Sequence, residues 1–216
     1  MRNRCCWLRS VAAILAMLAH GYATAFPTVV SFGVSFGIES YNLIGASRTT
    51  FLPWQITDIQ AVFSEPITSG NLNSLSGSGV TPVAFAGLGT NTLTWTFSPL
   101  SNGPYSVVLA GTGPNALRDA SNAALNGGSD FTQGFSVLFG DFDGDGQVNT
   151  ADVNGVISAA SQVYNIFADI NGDGVVNSTD ATLVASQIPA APEPATLALL
   201  GVGLAGLGFS RRRKLN

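Results

Sequence analysis

Near its C-terminal end the 216-residue chain repeats itself. Asp141-Phe142-Asp143-Gly144-Asp145-Gly146-Gln147-Val148-Asn149-Thr150-Ala151-Asp152 aligns without gaps with Asp169-Ile170-Asn171-Gly172-Asp173-Gly174-Val175-Val176-Asn177-Ser178-Thr179-Asp180, and the two copies start 28 residues apart. Both carry oxygen-bearing side chains at positions 1, 3, 5, 9 and 12, and both hold glycine at position 6. Side chains at positions 1, 3 and 5 converge only where the backbone turns sharply, and glycine tolerates that turn. Asp, Asn and Gly are common in ordinary turns, but turn chemistry does not require the same twelve-position pattern twice. Seven aspartates crowded into two short loops also repel one another unless a cation joins them.

Oxygen at this spacing is the pattern of an EF-hand calcium loop. Calcium is a hard cation that takes roughly 6–8 oxygen ligands. The spacing predicts one ion held by Asp141, Asp143, Asp145, Asn149 and Asp152 with the Gln147 carbonyl. A second is predicted at Asp169, Asn171, Asp173, Asn177 and Asp180 with the Val175 carbonyl. Position 12, usually Glu in such loops, is Asp in both copies. Loop one offers four carboxylates and loop two three, so loop one is expected to bind more tightly. Val148 and Val176, at position 8, are expected to pair as a short β-bridge between the loops.

The paired loops, each with Asp at position 12 and a helical pattern behind it, resemble a type I dockerin domain over residues 139–189. Val153, Val156, Ile157 and Ala160 recur at helical spacing after loop one. Ala181, Val184 and Ile188 do so after loop two, with Leu183 alongside. Val163, Ile166 and Phe167, between the halves, are expected to close a small core. The resemblance implies a compact pseudo-two-fold module and a cohesin-like partner. It also implies partner contact at loop positions 10 and 11, here Thr150-Ala151 and Ser178-Thr179.

The two ends carry addresses. Arg2, Arg4 and Arg9 precede the apolar run 11–18, and Ala23-Thr24-Ala25 follows as a small-x-small site. That is the pattern of a secretory signal peptide over residues 1–25, cut between Ala25 and Phe26. Both cysteines, Cys5 and Cys6, fall inside it, so the expected mature chain has no disulfide framework despite an oxidising destination. At the other end, Pro192-Glu193-Pro194 opens a Gly-rich apolar run, 195–209, closed by Arg211, Arg212, Arg213 and Lys214. The run is short against the roughly 20 residues of a typical membrane span, and the basic cluster is expected to stay on the cytoplasmic side. Residues 190–216 resemble the PEP-CTERM sorting signal of Gram-negative bacteria. The resemblance implies transient anchoring in the inner membrane and cleavage by an exosortase-type membrane protease. The cell surface or an exopolysaccharide matrix is then the implied destination.

Between the expected cleavage points, Arg48 and Arg118 are the only basic residues, set against twelve acidic ones. An acidic, lysine-free surface excludes nucleic acid as a partner. The single histidine, His20, lies in the signal segment, so no Ser-His-Asp triad, Cys-His pair or histidine zinc site can form after cleavage. A carboxylate pair drawn from Glu39, Asp58, Glu65 and Asp119 is the remaining catalytic option, and nothing in the sequence sets two of them across a cleft. The expected function is therefore non-catalytic.

Residues 26–138 alternate short β-prone runs with Gly, Asn, Ser and Pro. Strands are predicted at 28–36, 56–63, 80–85, 92–97, 105–110 and 131–138, with a weaker one at 41–44. Leu93, Trp95 and Phe97 alternate with polar residues, as do Tyr105, Val107 and Leu109, which marks strands with one buried face. Seven such strands predict an antiparallel sandwich. Phe63-Ser64-Glu65-Pro66-Ile67, the run 116–125, 93–97 and Gly103-Pro104-Tyr105 together resemble bacterial immunoglobulin-like modules. Glu65 and Asp119 read either as turn-capping residues or as an extra calcium or sugar site. Tyr41, Trp54 and Trp95 read as core aromatics or, if exposed, as a sugar-stacking platform. The expected whole is a multi-domain chain: signal peptide 1–25, all-β immunoglobulin-like sandwich 26–138, small α-helical dockerin-like module 139–189 and sorting signal 190–216.

Overall fold

A computed structural model of the chain describes residues 25–189. The expected signal segment, apart from Ala25, and the whole sorting signal with its apolar run lie outside the described residues. Within them, eight strands precede two helices. The strands are β1 (Val29–Phe36), β2 (Glu39–Asn42), β3 (Asp58–Ile67), β4 (Leu75–Gly77), β5 (Ala84–Ala86), β6 (Thr90–Thr96), β7 (Gly103–Leu109) and β8 (Phe131–Val137). The helices are α1 (Thr150–Ala159) and α2 (Ser178–Gln187).

The strands form two antiparallel sheets, ordered β2-β1-β3-β6-β5 and β4-β7-β8. Side chains alternate across a pleated strand, so one set of every second residue turns inward. Phe32, Val34 and Phe36 of β1, Ile59, Ala61 and Phe63 of β3, and Leu93 and Trp95 of β6 are buried in this way. Tyr105, Val107 and Leu109 of β7 and Phe135 and Val137 of β8 supply the second sheet, and all belong to one hydrophobic cluster. Register follows the alternation: Ile59 faces Trp95 and Ala61 faces Leu93 across β3 and β6.

The strand expectations change in three places, the first being the weaker strand expected at 41–44, which pairs over Glu39–Asn42 instead. Residues 80–85 are not one strand: only Ala84–Ala86 pairs with β6, and Pro82, which has no N–H to give a ladder, lies in the unpaired part. Leu75–Gly77 is a strand that its single inward side chain, Leu75, does not advertise. The aromatics are interior. Trp54 and Trp95 are fully buried, and half-buried Tyr41 lies edge-on against Phe167 with ring centroids 5.3 Å apart. A sugar-stacking platform at these three residues is thereby overturned.

The helical segment has its own small core of Phe139, Val156, Ala168, Ile170, Ala181 and Val184. Val148 and Val176 pack against this core, and no β-bridge joins them. Val156 faces inward, whereas Ile157, next to it on α1, is 55% exposed. Ile188 falls one residue beyond α2 as its C-cap. The expected closure of the core by Val163, Ile166 and Phe167 also fails. Val163 is 91% exposed, and Ile166 and Phe167 pack on the β-sheet core instead. An aromatic ring gains more from a stack of rings than from a core of Ala and Val, and Trp54 offers that stack.

The chain between β2 and β3 brings the two parts together. Residues 49–53 run beside β8 and its continuation. Leu52 N donates to Ser136 O (2.8 Å), Leu138 N to Leu52 O (3.0 Å) and Gly140 N to Pro53 O (3.0 Å). This pairing sets Arg48 and Trp54 against the helical segment.

Candidate metal centre

Each loop closes on its own helix through the same device. Asn149 and Asn177 are the N-caps of α1 and α2, accepting from Ala151 N (2.7 Å) and Thr179 N (2.7 Å). Three residues on, Asp152 and Asp180 accept back from Asn149 N (2.8 Å) and Asn177 N (2.9 Å). This is a capping box that uses Asp in place of Glu or Gln, and it also places the anion at the positive end of the helix. The other oxygen of Asp152 accepts from Phe142 N (2.9 Å), and that of Asp180 from Ile170 N (2.8 Å). Position 12 thus ties the beginning of each loop to its end.

Position 1 is equally enclosed. Asp141 accepts from Gly144 N (2.7 Å) and Gly146 N (2.9 Å); Asp169 accepts from Asp173 N (3.2 Å) and Gly174 N (2.9 Å). Gly144, Gly146, Gly172 and Gly174 all have φ between +67° and +87°, where a side chain is disfavoured. Asp141, Asp152, Asp169 and Asp180 are fully buried, whereas Asp143, Asp145 and Asp173 face solvent. Carboxylate oxygens of Asp141, Asp143 and Asp145 lie within 4.8 Å of one another, an all-oxygen cluster that can hold a metal ion.

The electrostatics fit a cation. Burial pushes the Asp141 carboxyl above its ordinary range, against the pull of the Gly144 and Gly146 amides and of Arg48. Among the described residues one ion pair touches the loops, Arg48 to Asp141 Oδ1 at 3.9 Å. Asp169 and Asp180, buried in loop two, have no such partner there. Buried carboxylates without a compensating charge are costly, and a divalent ion bound by them would remove that cost.

The loops differ in what surrounds them. At loop one, the Arg48 guanidinium donates to Phe142 O (2.7 Å), Asp141 O (2.7 Å), Thr50 O (3.2 Å) and Phe51 O. Burial lowers the pKa of Arg48, with Asp141 acting oppositely. At loop two, Ile38 N in the β1–β2 turn donates to Gly172 O (2.8 Å), and Tyr164 donates its hydroxyl to Asp169 Oδ2 (2.9 Å). Burial first, then this hydrogen bond and the charges of Asp169, Glu39 and Asp173, push the Tyr164 pKa upward. Between the loops, Phe167 stacks on Trp54 (5.2 Å), which stacks on Phe36 (4.1 Å). Trp54 Nε1 donates to Ile166 O (3.1 Å). Arg48 also lies over the Phe167 ring, 4.9 Å from its centroid.

Residues 139–189 match the type I dockerin domain. Residues 190–214 match the PEP-CTERM protein-sorting motif. No curated protein matches the chain. The dockerin domain is a non-catalytic, calcium-binding module, and the two matches together imply export, sorting to the cell surface and a docking or interaction role.

The remaining sequence candidates fall outside the dockerin segment. Asp119 accepts from Ser121 N (2.9 Å), Ser121 Oγ (2.9 Å) and Ala123 N (2.8 Å), which is turn capping. Glu65 lies with Asp119 on a shallow cavity of about 340 Å³, and its Oε1 is buried without a hydrogen-bond partner. Arg48 and Tyr164 have no site role in the sequence reading, and Glu39 enters it only as one of four candidate catalytic carboxylates, not as a neighbour of loop two. The available signal for Arg48 was that it is one of only two basic residues between positions 26 and 191.

Proposed function

We propose that the protein is a non-catalytic, exported docking protein of the cell surface or matrix, fastened by two calcium ions. The proposed division is a signal peptide ending at Ala25, an immunoglobulin-like β-sandwich over 26–138, the dockerin segment over 139–189 and a sorting tail from 190. One ion takes Asp141, Asp143, Asp145, Asn149, Asp152 and the Gln147 carbonyl. The other takes Asp169, Asn171, Asp173, Asn177, Asp180 and the Val175 carbonyl. An exosortase-type protease cuts near Pro192-Glu193-Pro194 while the apolar run and Arg211, Arg212 and Arg213 hold the tail in the inner membrane. The released protein then resides at the cell surface or in an exopolysaccharide matrix of a Gram-negative bacterium.

The observation that carries the docking role is the exposure of both helix starts. Thr150, Ala151, Ser178 and Thr179 are all exposed, and Ile157 adds apolar surface on α1. The β-rich part packs instead on the loop glycines and on the turn Ile166–Ala168. A cohesin-like protein therefore has both helix starts available. The test is calcium-dependent capture of a cohesin-like partner from surface or matrix extract. Replacing Ser178 and Thr179 by glutamate should weaken capture at least about tenfold by repulsion and clash. Unchanged capture would leave these residues only as helix-start hydroxyls and would sink the docking face.

A further inference from the structure

The two loops have unequal charge of their own, and the β-rich part supplies the opposite inequality. Loop one holds four carboxylates and loop two three. Against loop one lies a cation: Arg48 sits 3.9 Å from Asp141 Oδ1 and bonds the Asp141 and Phe142 carbonyls. The guanidinium is close enough that a Cβ at Gly144 would lie 2.9 Å from its central carbon. Against loop two lies an anion: a Cβ at Gly174 would sit 3.4 Å from Glu39 Oε1. Glu39 opens β2 immediately after the turn whose Ile38 N–H bonds Gly172 O, so the backbone at its root is fixed beside the loop.

We propose that Glu39 and Arg48, both contributed by the β-rich part, set the relative calcium affinity of the two loops and make loop two the first to fill. Counting formal charges, loop one with Arg48 presents three net negative charges to its ion, and loop two with Glu39 presents four. A like charge a few ångströms from a bound divalent ion opposes it, and an opposite charge favours it, whether or not either group touches the metal. Arg48 is the more enclosed of the two and works through a less screened path; Glu39 is half-exposed and its effect is reduced by salt. Neither residue is a calcium ligand. Both act through the field at the loop and are positioning residues of the β-rich part. The inference rests on the calcium reading of the loops.

The test is calorimetric calcium titration of the full-length chain in two backgrounds: Asp141→Ala, which leaves loop two, and Asp169→Ala, which leaves loop one. With loop two alone, Glu39→Gln should weaken calcium about threefold and Glu39→Lys further in the same direction. With loop one alone, Arg48→Gln should tighten calcium about threefold or more, and the Glu39 variants should change little. All differences should shrink as salt rises. Circular dichroism in saturating calcium separates these shifts from a failure to fold. Loop-two affinity indifferent to both Glu39 variants, or loop-one affinity weakened by Arg48→Gln, overturns the assignment. Absence of calcium binding by the unsubstituted chain would remove the underlying calcium reading instead, and with it this one.

Discussion

Loop one and loop two share a backbone design and differ in their walls. Both close position 1 with two backbone N–H groups and position 12 with a capping box. Their position-4 glycines, however, meet different material. A Cβ at Gly144 would meet the end of the Arg48 side chain, which can shift at the expense of its hydrogen bonds. A Cβ at Gly172 would meet the Phe36 carbonyl, which cannot. One loop is therefore held by a side chain and the other by main chain. Identical ligand spacing does not make equivalent sites when the β-rich part sets different groups against each loop.

Chelation should erase the difference and gives the largest effect. With EDTA, buried carboxylates regain their uncompensated cost and the small core has little apolar area to oppose it. Amide exchange in α1 and α2 should accelerate on the order of a hundredfold, while β7 and β8 stay protected. Unchanged exchange in both helices would refute a calcium-dependent fold.

Gly172→Ala should break the comparison from one side. A left-handed alanine costs about 1–2 kcal/mol, and the clash with main chain adds a similar amount. About 3 kcal/mol of lost stability in calcium is expected in chemical denaturation. Phe167→Ala weakens both loops together by cutting the stack on Trp54. About 2 kcal/mol is expected, below the 3–5 typical of a fully buried Phe, because this ring is half-buried. Trp54 fluorescence should report the change, and an unshifted spectrum would contradict the stack. Gly144→Ala should cost the backbone term, about 1–2 kcal/mol, and loosen the Arg48 hydrogen bonds at that wall without a main-chain clash. Equal losses at Gly144 and Gly172 would show that the walls do not differ as described.

The smallest effect lies outside both loops and serves as a reference. Asp130, near β8, accepts from Gly111 N (2.8 Å) and from Thr112 N and Oγ1 (3.1 Å each). The Gly111 bond first, then those of Thr112, hold its pKa below the ordinary 3.8. The stabilisation is present above about pH 3.8 and is lost as pH falls through the lower folded value. Asp130→Asn should therefore flatten the acid limb of the melting-temperature curve slightly, at saturating calcium or without it. A change in calcium affinity in the same variant would mean that the β-sheet edge and the loops communicate.

Much of the molecule was legible in the chain because its determinants are local. A loop whose ligands lie within twelve residues, a capping box spanning three, and strands with every second residue apolar are all written in consecutive positions. That is why the positions of α1 and α2, the main strands and the oxygen-bearing loop positions could be read directly. Leu75–Gly77 escaped because three residues hold too little alternation, and its strand identity comes from pairing with β7.

The packing between the two parts was not legible. Phe167 and Ile166 belong by sequence to the helical segment, and a local reading sends them into its core. Only the fold brings Trp54, more than a hundred residues away, to a stack that holds Phe167 better than small aliphatic neighbours do. Arg48 and Glu39 likewise look like isolated charges in the sequence. The pairing of residues 49–53 with β8 and the contact of the β1–β2 turn with Gly172 carry them to opposite loops. By itself, the sequence determined which oxygens each loop offers, since those are covalently ordered within one turn of chain. The tertiary structure alone decided which charges stand behind them, because a field acts through space and takes no account of distance along the chain.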